Sequence, residues 1–72
     1  MMAIDLAKPP RVDTAWLQAF TRHFVCEEPD ASALTALEHA LVVFDFAWLL
    51  EPQEAVDYWL KAIRSRGWRA GT

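Results

Sequence analysis

Large apolar side chains fall on Trp16, Phe20 and Phe24, one at every fourth position, with Leu17 and Ala19 beside them. A step of four returns to the same side of an α-helix, so this pattern predicts a helix over 14–26 with a single apolar stripe. Asp13 stands where an N-cap belongs. The run Glu27-Glu28-Pro29-Asp30 ends the element, because proline disfavours helical geometry in the residue before it.

The next segment, 31–50, is apolar on almost every side, and Asp30 or Ser32 can cap it. Thr35, Glu38 and Asp45, with His39 alongside, form its only polar stripe. A helix of this kind belongs at the centre of a bundle. Val42, Val43 and Phe44 carry strand propensity, but the length of the run and its flanking alanines and leucines favour helix. Glu51-Pro52 breaks the run, and proline suits the first position of a new helix. That helix is expected over 52–66, with Val56, Trp59, Leu60 and Ile63 on its apolar face and Asp57 four residues before Lys61. Gly67 is its natural C′ residue. The short connection predicts helices two and three as an antiparallel hairpin. Pro9-Pro10 excludes a helix there, so 1–12 reads as an extended arm, and 67–72 is a basic tail. The expected architecture is all-α: one domain over 1–72, a small three-helix bundle with irregular termini.

Composition sharpens this picture. The chain has 72 residues and is 54% hydrophobic, above the ~45–50% of ordinary soluble domains. Ordering such a chain costs on the order of 100 kcal/mol at ~1.5 kcal/mol per residue. One cysteine forms no internal disulfide. Apolar packing or a partner must therefore offset the cost. A single Cys26 suits a reducing compartment, and the N-terminus lacks a basic, apolar leader pattern, so a cytoplasmic location is expected. The most apolar run, 41–50, is interrupted by Asp45 and falls short of the roughly 20 residues that span a bilayer.

Candidate chemistry is sparse. His23-x-x-Cys26 offers two metal ligands, but zinc sites repeat such a pair and no second one exists. Glu38 and Asp45 share one face of helix two near His39, a possible proton-transfer set. The plainer reading is a solvated edge or a polar seam with Arg22. Cys26 lies beside two acids, a poor setting for a nucleophile. The only glycines, Gly67 and Gly71, stand at the tail, so there is no phosphate-binding loop. The expectation is a chain without catalytic residues, metal, cofactor or small-molecule substrate.

Charge and aromatic content point to macromolecular contact instead. The formal charge is −3, yet Lys61, Arg64, Arg66 and Arg69 all lie in the last 12 residues, with Trp68 among them. Such a tail can complement the helix dipole or meet an acidic protein surface. The net negative charge argues against nucleic acid. The chain holds four Trp, four Phe and one Tyr, too many for one face of a three-helix core, and Trp and Tyr concentrate at interfaces. Trp48, Tyr58, Trp59, Arg64, Trp68 and Arg69 are the expected partner-binding residues.

Residues 40–66 carry Ala55, Trp59 and Ala62 at a small–aromatic–alanine spacing, preceded by Val42 and Phe46. This resembles one tetratricopeptide helical hairpin, although no glycine separates the helices, Val43 stands where a small residue is usual, and no second repeat follows. The resemblance implies a hairpin that holds another helix or a peptide. The function expected is a non-enzymatic protein–protein interaction module, self-associating or bound to another protein, acting as an adaptor, chaperone-like subunit or inhibitor of a larger assembly. The alternatives are an accessory subunit lending Glu38, His39 or Asp45 to an enzyme, and a nucleic-acid-associated protein using the basic tail.

Overall fold

The computed structural model describes residues 13–69. The arm expected over 1–12 and the last part of the tail, 70–72, lie outside the described residues. Three helices follow in order: α1 (Thr14–Glu27), α2 (Ala33–Ala47) and α3 (Pro52–Arg64). There is no strand among the described residues, and the small all-α bundle is as expected.

Each boundary has a local cause. The Asp13 carboxylate accepts from the Trp16 backbone N–H at 3.2 Å and starts α1, a cap of about 1 kcal/mol. Ser32, rather than Asp30, caps α2: its Oγ accepts from the Thr35 N–H at 3.0 Å. α2 is shorter than the expected 31–50. Its last residue is Ala47, and the Leu50 N–H closes a turn onto the Ala47 carbonyl at 3.0 Å. Glu51 is then extended, at φ −61° and ψ 144°, as a residue before proline prefers. Pro52 opens α3.

α3 runs as regular helix to Arg64, two residues short of the expected 66, and its last turn tightens. The Gly67 N–H bonds the Arg64 carbonyl and the Trp68 N–H bonds the Ile63 carbonyl, both at 3.0 Å. These two bonds define a Schellman motif with Gly67 at C′. Gly67 has φ +90°, a conformation L side chains rarely adopt.

The order of contacts sets the topology. Trp16 meets Phe44 and Phe24 meets His39, so α2 runs back along α1. His23 faces Asp57 and Glu28 pairs with Arg64, so α3 runs again in the direction of α1. α2 and α3 are not, however, the close antiparallel pair that the short connection predicts. The chain turns through 102° between them, and α1 is the helix on which both pack. Bulk explains the splay: the Trp59 ring stands against Phe46 at 5.7 Å and His39 at 5.9 Å, which props the two helices apart. The Trp16 indole N–H also donates to the Leu50 carbonyl at 2.9 Å and ties the connection to α1. A tetratricopeptide-like hairpin is thus not formed.

The α1 stripe is the centre of the core. Trp16, Phe20 and Phe24 stack in sequence at 5.3 and 5.9 Å. Phe20 and Phe24 are wholly buried, each contributing roughly 1.5–3 kcal/mol. α2 meets them with Ala36, Ala40, Val43, Phe44 and Ala47, and α3 with Ala55, Val56 and Leu60. The small alanines let α1 approach closely, while Leu34, Leu37, Leu41, Val42 and Phe46 of α2 remain exposed.

Candidate functional site

The molecule carries a half-buried histidine, a charged recess at the end of α3, and an open outer side of α2.

His39 of α2 sits among aromatic side chains from α1, α3 and the segment after α3. Phe24 stacks on it at 5.1 Å, while Trp68 and Trp59 meet it edge-on at 5.3 and 5.9 Å. The Trp59 indole N–H donates to His39 Nδ1 at 2.8 Å. An indole nitrogen only donates, so Nδ1 must carry a lone pair and the proton lies on Nε2. Burial lowers the pKa of the imidazole below its ordinary 6.5, and the neighbouring Glu38 carboxylate opposes part of that effect. The lone pair that would bind a metal or take a proton is thereby committed to Trp59.

Glu38 and Asp45 are exposed, and neither makes an ion pair with Arg22 or any other base among the described residues. His23 Nε2 faces Asp57 Oδ1 at 3.6 Å, which takes Asp57 away from Lys61. Cys26 is a free, exposed thiol. Among the described residues, no three His, Cys, Asp or Glu side chains gather as metal ligands would.

At the end of α3, Arg64 Nη2 donates to Glu28 Oε2 at 2.9 Å. Arg64, Trp68 and Arg69 line one shallow recess with Glu28 and Asp30. Trp68 is half-buried and turns its edge to Phe24 at 5.9 Å. Of the residues expected to bind a partner, Trp48, Trp59 and Trp68 therefore pack against the core, Arg64 holds Glu28, and Tyr58 points to solvent at 57% exposure. The six are not brought together. Tyr58 and Trp59 share one depression with Phe46, while Arg64, Trp68 and Arg69 share another.

The outer side of α2 is open and apolar. Leu34 is 69% exposed and Leu41 48%, with Leu37 between them also exposed. Beside Leu37, a recess between α1 and α2 is lined by Leu17, Thr21, Val25 and Ala33. Leu34, Leu37 and Leu41 follow a three–four spacing, which was visible in the sequence. The bond between His39 and Trp59 was not, because 20 residues separate them and no local pattern announces it. No single helix among the described residues is long and apolar enough to cross a membrane. Compared with family models, curated proteins and solved structures, the chain matches none.

Proposed function

We propose that this chain is a small non-enzymatic protein–protein interaction module, which docks through the open side of α2 on a helix of another protein or of its own kind. Adaptor, chaperone-like subunit and inhibitor of a larger assembly are roles that fit such a module. One observation carries the reading: Leu34, Leu37 and Leu41 stand exposed in a row on α2 while the buried alanines of the same helix already serve α1. Full burial of each leucine would contribute roughly 1.5–3 kcal/mol. A contiguous apolar strip with polar margins is the surface an amphipathic helix recognises. The accessory-subunit reading has less support, since His39 Nδ1 already accepts from Trp59. The basic-tail reading is weakened by the Arg64–Glu28 pair.

The test is a photo-activated cross-linking residue placed at position 41, with a control at exposed Gln53 on α3. In cells of the source organism, position 41 should yield a discrete protein adduct, to itself or to another chain, that the control does not. Equal labelling from both positions would remove the ground for the proposal.

A further inference from the structure

We infer that the occupant of the α2 face is a second copy of this chain, packed parallel and in register, with Arg22 of each copy on Glu38 of the other. This rests on the interaction-module reading and goes on to name the partner, its direction and its polar contact.

The register comes from α2 itself. Leu34, Leu37, Leu41, Phe44 and Trp48 succeed one another at steps of three and four, the a and d positions of a heptad seam. Phe44 is buried against Trp16 and Trp48 packs on the core, so the open part of this seam is Leu34, Leu37 and Leu41. The positions bordering the seam on one side, e, are Glu38 and Asp45, both exposed acids. The positions bordering it on the other side, g, are Ala33, Ala40 and Ala47, and on that side Arg22 of α1 stands at the rim of the recess with Ala33 and Leu37. One margin of the strip is therefore acidic, and the other carries a cation that α1 supplies in place of an α2 side chain.

These unlike margins select a direction. A two-fold axis parallel to α2 sets the e margin of one copy against the g margin of its partner, acid against Arg22. A two-fold axis across α2 sets e against e, acid against acid, which is destabilising. Height agrees with the first arrangement. Phe24 lies level with His39 and Trp16 level with Phe44, so Arg22, two residues before Phe24 on the antiparallel α1, stands near the level of Leu41, within one helical turn of Glu38. A parallel two-fold preserves level, and it brings Arg22 to the partner's Glu38 twice per dimer. Neither residue has an ion-pair partner within the described chain. A self-complementary patch of this kind is what a two-fold homodimer requires.

Two experiments on the full chain test this. In a Cys26→Ser background, Leu34→Cys should cross-link to its own copy under mild oxidation. In the opposite direction position 34 faces the region of 41, about 10 Å from its own copy at 1.5 Å per residue, and no disulfide forms. Separately, Arg22→Glu and Glu38→Arg should each weaken dimerisation about tenfold, and the two together should restore it to within about threefold of the wild type. A dimer that neither cross-links through position 34 nor recovers in the double exchange overturns the proposal. A wild-type chain that stays monomeric while position 41 captures a different protein overturns it and leaves the interaction-module reading standing. A monomer whose position 41 captures nothing sinks both.

Discussion

Replacing Trp59 by Phe isolates the contact that joins α2 to α3. The substitution removes the indole N–H but keeps an aromatic ring beside Phe46 and His39. At neutral pH it forfeits the 2.8 Å bond to His39 Nδ1, a net loss of about 0.5–1.5 kcal/mol. For a domain of this size that lowers Tm by roughly 4–8 °C per kcal/mol. The effect must depend on pH. The folded pKa of His39 is lowered, mainly by burial, so below about pH 6.5 the unfolded chain binds more protons than the folded one. The stability held in the neutral imidazole is complete above that pH and is lost as pH falls through the folded value. A proton on Nδ1 abolishes the bond from Trp59, so the penalty of Trp59→Phe should shrink toward zero as His39 becomes protonated. Urea unfolding of both forms at about pH 8 and about pH 5, in a His23→Gln background that leaves His39 as the only imidazole, measures this. A penalty that stays the same at a pH below the folded pKa of His39 read by NMR, or a His39 that titrates above its ordinary pKa, would refute the reasoning.

Three further substitutions probe the fold. Phe24→Ala removes a wholly buried ring that touches Phe20, His39 and Trp68; the expected loss of about 3–5 kcal/mol rivals the total stability of so small a domain, and circular dichroism should show a largely unfolded chain at 37 °C. Thr21 Oγ1 is buried without a hydrogen-bond partner, so Thr21→Val should raise stability by about 1 kcal/mol, read as a higher midpoint in urea; a lower midpoint means the hydroxyl has a use. Gly67→Ala meets no neighbour within 4 Å, so its cost is the backbone strain at φ +90° alone, about 1–2 kcal/mol, and Gly67→Asn should recover part of it.

The helices themselves were legible in the sequence because their signals are local. The stripe Trp16–Phe20–Phe24, the caps Asp13 and Ser32, and the Pro52 and Gly67 boundaries each depend on residues within one or two turns. What was not legible depends on contact between distant segments. The apolar pattern overstates the extent of α2 because Trp48, Leu49 and Leu50 continue it, whereas the turn there is drawn by Pro52 and by the bond from Trp16 to Leu50. The angle between α2 and α3 follows from the girth of Trp59 against His39 and Phe46, which no spacing rule conveys. The aromatic residues expected to form an interface are expected there on residue type alone. Yet Trp59 and Trp68 spend their area on His39 and Phe24, and the exposed strip is aliphatic. Aromatic content indicated that the chain carries more apolar surface than one core needs, without indicating which side chains stay outside.

The claim that a second copy covers this strip is tested most directly by sedimentation equilibrium over a hundredfold range of concentration, comparing the wild type with Leu41→Glu. Leu41 is 48% exposed in the single chain, so the substitution should leave helix content unchanged while placing a charge in the seam. The account predicts that the wild-type mass rises from that of one 8.2 kDa chain toward twice that value, and that Leu41→Glu remains at one chain throughout. A wild type that holds the mass of one chain across the whole range, or a Leu41→Glu protein that dimerises as the wild type does, would contradict it.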